Sequence, residues 1–212
     1  MEDLKKLLPG YFYHIYTRGN NKEDIFIEPE NYTYFLLQWR KHIDPVAETF
    51  AYALLKNHFH CLVYIRNLPQ LCLLEKLNQK AADPSFLYLE ISKCFSNLFN
   101  GYAKAINKRY HRTGSLFQER FRRKLVMEKA YLAKAVMYIH ANGQKHGFAA
   151  PEEIYPYTSY ASLISDKPTR LERDKVFALF GGREAFIKAH QQYQEDLALR
   201  TFILENEHDD AD

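Results

Sequence analysis

Tyr52-Ala53-Leu54-Leu55-Lys56-Asn57-His58-Phe59-His60-Cys61-Leu62-Val63-Tyr64-Ile65 is the stretch on which the fold turns. Two apolar runs flank the polar pair Lys56-Asn57, so the pattern predicts strands over Thr49 to Leu55 and His58 to Ile65, joined by a tight turn. A strand sends successive side chains to opposite faces. His58 and His60 therefore leave one face, and Phe59 and Cys61 the other. Two imidazoles so placed are half of a divalent-metal site, or a pair of donors for a phosphate. A pair of hydrogen-bonded histidines on a partly open sheet face is the plainer alternative.

The flanking segments extend the pattern. Tyr11 to Thr17 is aromatic and β-branched, which predicts a strand, and Arg18-Gly19-Asn20-Asn21 closes it as a loop. Pro29-Glu30 opens a helix to about His42, with Tyr34, Leu37 and Lys41 at helical spacing. Asn67 to Ala82 is ambiguous. From Ser85 to about Tyr110, Leu87, Ile91, Phe95, Leu98, Phe99, Tyr102 and Ile106 form the apolar stripe of a long helix. His111 to Ser115 reads as a loop and Leu116 to Val126 as a strand. Glu128 begins a helix to about Ala141, with Asn142-Gly143 as its stop signal. Tyr155 to Tyr160 is an aromatic loop that packs back on the core. Two further amphipathic segments, Arg173 to Phe180 and Glu184 to about Leu204, form a helical C-terminal extension. The expected organisation is an α+β, ferredoxin-like split β-α-β sandwich over residues 1–165, with its antiparallel sheet covered on one face and free for a ligand on the other. The helical extension with an acidic tail occupies 166–212.

Composition limits the function classes. Of 212 residues, 47% are hydrophobic and 15% aromatic, which excludes a disordered chain. Cys61, Cys72 and Cys94 form no C-x-x-C pair, so neither a zinc knuckle nor a disulfide framework is expected, and a reducing cytoplasm suits them. No apolar run approaches the ~20 residues of a membrane span. Net charge is only +3, yet Lys104, Lys108, Arg109, Arg112, Arg120, Arg122, Arg123 and Lys124 crowd one segment against Glu119 alone. Such a block is the footprint of a polyanion site, or a solvated helix face.

Near the end of the core, Ala135-Val136-Met137-Tyr138-Ile139-His140-Ala141-Asn142 places Tyr138 and Asn142 four residues apart, on one helix face. A tyrosine phenol attacks a phosphodiester when a metal polarises the phosphate, and the Asn142 carboxamide oxygen can complete a metal site begun by His58 and His60. Tyr138 is also one of sixteen tyrosines, any of which can be a core aromatic.

Taken with Asn57, His58-Phe59-His60 resembles the histidine-hydrophobic-histidine motif of the HUH single-strand nucleases, and within them the IS200/IS605-like Y1 transposases and REP-associated tyrosine transposases. His14 through Arg18-Gly19-Asn20-Asn21 and Asp24-Ile25-Phe26 is similar to that family's first strand and arginine-glycine loop. Gly114-Ser115-Leu116-Phe117-Gln118-Glu119-Arg120-Phe121, Tyr138-Ile139-His140-Ala141-Asn142 and Tyr157-Thr158-Ser159-Tyr160 resemble three further motifs in the same order, over about residues 11 to 165. Two positions depart from the pattern. Gly143 stands where the family has proline, which would loosen the helix end and the placement of Asn142, and Leu55-Lys56 stands where many members carry methionine-proline.

The resemblance implies a metal-dependent single-stranded DNA endonuclease and strand transferase acting on hairpin-containing DNA. Tyr138 would be the nucleophile, forming a 5′-phosphotyrosine linkage. His58 and His60 would bind Mg²⁺ or Mn²⁺, with Asn142 as a third ligand. Arg18 and Asn20 would contact DNA beside the active site, and Lys104, Lys108, Arg109, Arg112, Arg120, Arg122 and Arg123 would hold phosphates. A homodimer and a monomer both fit. Rival readings are a domesticated, non-cleaving hairpin binder, a hydrolase in which water attacks, and an RNA-binding sandwich.

Overall fold

A computed structural model describes residues 6–67, 71, 84–118, 121–150 and 153–209, with the backbone alone for 84–85, 129–130 and 197–209. Within them the strands are β1 (Phe12–Arg18), β2 (Ala47–Leu55), β3 (His58–Ile65) and β4 (Arg122–Val126). The helices are α1 (Pro29–His42), α2 (Pro84–Arg109), α3 (Lys129–His140), the short α4 (Asn142–Lys145) and α5 (Tyr160–Ile164), then α6 (Arg173–Phe180) and α7 (Arg183–Asp209). The strands form one antiparallel sheet in the order β2-β3-β1-β4. This is the split β-α-β arrangement expected, an α+β fold.

Each face of the sheet has its own core. Alternation in β1 sends Tyr13 and Ile15 toward α1 and α2, where they meet Phe59, Cys61, Val63 and Ile65 of β3. Phe59 is held between Phe35 of α1 and Phe99 of α2, with ring centroids 5.2 and 5.5 Å away. Full burial of such a ring stabilises the fold by roughly 1.5–3 kcal/mol. Pro29 starts α1 at a position where its missing N–H costs nothing, and the buried Asn31 Oδ1 accepts from the Ile27 and Glu28 amides at 2.9 and 3.1 Å.

The second face is not free, contrary to the expectation from sequence. Leu132, Ala135, Val136 and Ile139 of α3 lie on it, against Phe50, Ala51, Ala53, Leu55 and Leu62. The small side chains of Ala51 and Ala53 let the helix approach β2 closely. Val176 of α6 and Phe186 of α7 close the same core, so the C-terminal helices help to cover the sheet. What stays open is a strip over β1 and the starts of β3 and β4.

Two more elements differ from expectation. Strand pairing begins at Arg122 rather than Leu116, where Phe117 makes only an isolated bridge to Gly19. Asn142-Gly143 does not stop the chain's helical course. α3 ends at His140, and after Ala141 the turn α4 carries both residues. Gly143 is buried, and a Cβ there would lie 2.2 Å from Cβ of Tyr155. The glycine fixes a close approach rather than loosening the helix end. The aromatic loop packs as anticipated: Tyr157 stacks on Tyr32 at 3.6 Å between centroids, and the Leu54 amide donates to Tyr157 O at 3.0 Å. Cys72 and most of the ambiguous stretch Asn67 to Ala82 fall outside the described residues. Among those described, no helix is long and apolar enough to cross a membrane.

A buried hydrogen-bond relay ties α7 to α3 and to the sheet. His190 Nδ1 donates to Phe186 O at 2.8 Å, leaving its Nε2 to accept. His140 Nδ1 therefore donates to that Nε2 at 2.8 Å, and Ser159 Oγ donates to His140 Nε2 at 2.7 Å. Ser159 Oγ in turn accepts from the Tyr52 amide at 2.9 Å. Every group has one partner per role, so the relay is consistent with neutral imidazoles.

Candidate active site

Register brings the chemistry-bearing residues to the open strip. Tyr16 lies opposite His60 and Arg18 opposite His58 across β1 and β3, while Tyr16 lies opposite Arg122 on β4. His14, Tyr16, Arg18, His58, His60 and Arg122 thus share one face. Above them α3 contributes Tyr138, whose ring meets those of His14 and His60 edge to face, each at 6.0 Å between centroids. Tyr138 is 38% exposed, so its phenol is open to a ligand although its ring is held. Lys145 Nζ sits 4.2 Å from the ring centroid, a cation–π contact from the following turn. Tyr16, Thr17, Arg18, Gln118, Arg122 and His146 complete the wall of a cleft of about 270 Å³ that also includes His58, His60 and Tyr138.

The turn before β3 fixes the protonation of His58. Asn57 Oδ1 can only accept, so the 2.6 Å contact puts the proton on His58 Nδ1 and leaves the lone pair on Nε2. That Nε2 is buried and has no hydrogen-bond partner. Burial, then His146 and Arg18, push the His58 imidazole down to about 4. His60 Nδ1 is engaged with His14 Nε2 at 2.9 Å, so Nε2 is the nitrogen His60 has to offer. Burial, then the neighbouring histidines, depress His60 to about 2, and burial with Lys124 depresses His14 to about 4. All three are therefore neutral at pH 7; His58 and His60 keep an Nε2 lone pair for a metal, while the lone pair of His14 Nε2 accepts from His60 Nδ1.

The turn itself is anchored by main-chain bonds. Gly19 N donates to Asn57 O at 2.7 Å, and the Ile25 and Phe26 amides share Lys56 O at 2.7 and 2.9 Å. A Cβ at Gly19 would lie 2.0 Å from the Glu23 carbonyl oxygen, so only glycine allows this approach.

Asn142 stands apart from the cleft walls. It is fully buried; its Nδ2 donates to Tyr138 O at 2.7 Å, and its Oδ1 has no partner. Among the described residues, no cluster of three or more His, Cys, Asp or Glu is arranged to hold a metal by itself. The donor chemistry of the histidine pair nevertheless fits one: His58 Nε2 is buried without a partner, His60 has Nε2 to offer, and a divalent cation takes further oxygens from water and phosphate, whereas the unpartnered Asn142 Oδ1 lies outside the cleft walls.

The basic block is divided rather than gathered. Arg18 and Arg122 line the cleft. Arg123 points to the opposite face, where it lines a groove with Lys104. Arg109 pairs with Glu28 at 2.7 Å, Arg112 pairs with Glu23, and Lys108 is exposed near the end of α2. Asn20 uses its main-chain amide on Leu116 O at 2.9 Å and is not a cleft wall residue. Arg120 lies outside the described residues.

Sequence reasoning missed His14, Tyr16, Gln118, Lys145 and His146 as parts of this site. Alternation alone groups His14 and Tyr16 with Arg18, but placing them beside His60 requires the β1–β3 register. His146 follows Tyr138 by eight residues, and only the extra turn of α4 returns it to His58, with ring centroids 4.6 Å apart.

No family profile matches the chain, and no curated protein matches it. One solved structure is similar, described as the REP-associated tyrosine transposase bound to a REP hairpin. It is 16% identical, with a TM-score of 0.49 over 76% of this chain and 84% of that one. Similarity at this level leaves function to be argued from the residues of this chain.

Proposed function

We propose that this protein is a metal-dependent single-stranded DNA endonuclease and strand transferase, acting on hairpin-containing DNA with Tyr138 as nucleophile. One observation carries the reading. The exposed Tyr138 phenol stands over a cleft whose floor holds the buried His58 and half-buried His60 imidazoles and whose walls carry Arg18 and Arg122, with no carboxylate among its described lining residues. The preference for hairpins rests on the resemblance of its sequence motifs to those of tyrosine transposases.

In this reading Arg18 and Arg122 hold phosphates on either side of the scissile bond. Tyr138 Oη attacks phosphorus, the 3′-oxygen leaves as a hydroxyl, and the 5′-phosphate stays on the tyrosine. Return attack by a 3′-hydroxyl rejoins strands, so no external energy source is needed. His58 and His60 would hold Mg²⁺ or Mn²⁺, with Asn142 Oδ1 as a third donor, and the ion would supply positive charge at the phosphate. Asn57 and His14 orient the two imidazoles from behind.

The burial of Asn142 away from the cleft favours a second reading, a hairpin-binding protein that does not cut. Incubation with labelled hairpin oligonucleotides in Mn²⁺, then in chelator, separates the two. A denaturation-resistant adduct that needs the metal and vanishes in Tyr138→Phe supports strand transfer. Tight binding without cleavage supports the binder, and cleavage without an adduct assigns the attack to water.

A further inference from the structure

A second groove lies on the opposite side of the sheet, between α2, residues 114–118, Phe121 and β4, with a volume of about 910 Å³ against 270 Å³ for the cleft. Its α2 wall is built from Ser92, Ser96, Asn100, Ala103, Lys104 and Asn107, which recur at helical spacing. Short polar side chains keep this wall low, while the apolar stripe of the same helix faces the core. The floor is aromatic, made by the edges of Phe99, Phe117 and Phe121, and Arg123 lies 4.7 Å from the Phe121 ring centroid. Lys104 and Arg123, which also donates to Ser92 Oγ at 3.3 Å, give the groove positive charge, and none of its described lining residues is acidic.

The groove and the cleft adjoin. Thr17 and Gln118 line both, and the Gln118 amide donates to Arg18 O at 2.9 Å, so these segments form the wall between the two. A ligand that leaves the cleft over this wall reaches the groove only by bending sharply around it. Duplex DNA, with a persistence length of about 50 nm, does not make such a turn, whereas a single strand does.

We infer that this groove binds the single-stranded DNA flank that leaves the cleft. Lys104 and Arg123 take its phosphates, the serine and asparagine side chains take sugar or base edges, and the phenylalanine edges give unpaired bases an apolar surface. The inference rests on the proposed DNA activity of the cleft and adds the path of the strand to it.

The test is fluorescence anisotropy in Tyr138→Phe, which separates binding from chemistry, using a hairpin with a long single-stranded flank and the same hairpin trimmed to the cleavage position. Ser96→Trp, at an exposed site, fills the groove, and Lys104→Ala removes one phosphate contact; circular dichroism checks that both fold. The expected result is at least fivefold weaker binding of the long substrate by Ser96→Trp, with the trimmed hairpin unaffected. Lys104→Ala should lower the slope of log affinity against log salt by about 0.7 for the long substrate only. Equal binding of the long substrate by parent and both variants overturns the inference, even if the Tyr138 adduct forms. If no adduct forms while both variants weaken the long substrate, the groove stands and the nuclease reading falls.

Discussion

His58 owes its ligand-ready state to one hydrogen bond. Asn57 Oδ1 holds the Nδ1 proton at 2.6 Å, which keeps Nε2 unprotonated and aimed. Asn57→Ala should leave the fold intact, because the turn is held by main-chain bonds from Gly19, Ile25 and Phe26. It should weaken Mn²⁺ binding by about 10- to 100-fold, the usual cost of losing an orienting partner. Isothermal titration with Mn²⁺ measures this, and unchanged affinity would remove Asn57 from the account. At this scale the sequence was informative about His58, His60 and Tyr138, because residue type and alternation together name them. It could not give His14 or His146, whose places beside His60 and His58 arise only through register and an added helical turn.

Among the elements, α3 matters most, because it both covers the second face and carries Tyr138. Its apolar residues announce that one side is buried but not what they are buried against, so a face expected to be open proved to be packed. The same limit explains β4. Leu116, Phe117 and Phe121 look strand-like, yet they are buried by insertion into the first core, and continuous pairing starts at Arg122. Gly143 tests how tightly α3 and α4 are set. Gly143→Ala places a methyl group 2.2 Å from Tyr155 Cβ, which must move for the variant to fold. Overpacking of this kind costs roughly 1–3 kcal/mol, so chemical denaturation should show a clear loss of stability. A variant as stable as the parent would mean that Tyr155 yields freely.

Across the whole molecule, the helices after residue 165 complete the second core, and the His190–His140–Ser159 relay links α7 to α3 and the sheet. Both imidazoles are depressed by burial, His190 to about 4 and His140 well below its ordinary value. In the unfolded chain they titrate near 6.5. Their contribution to stability is therefore fully present above about pH 6.5 and is lost as pH falls toward the folded values. The slope reaches up to ~1.4 kcal/mol per pH unit for each group. His190→Gln should be less stable at pH 7.5 and should lose less further stability between pH 6.5 and 4 than the parent does. Parallel pH profiles for the two proteins would show that His190 is not held neutral in the fold.

Covalent attachment of Tyr138 to DNA is open to peptide mapping of the trapped complex. After digestion with protease and nuclease, the peptide containing Tyr138 should carry a nucleotide through its 5′-phosphate, and the released strand should end in a 3′-hydroxyl. A nucleotide on another residue, or cleavage to a free 5′-phosphate with Tyr138 unmodified, would contradict it.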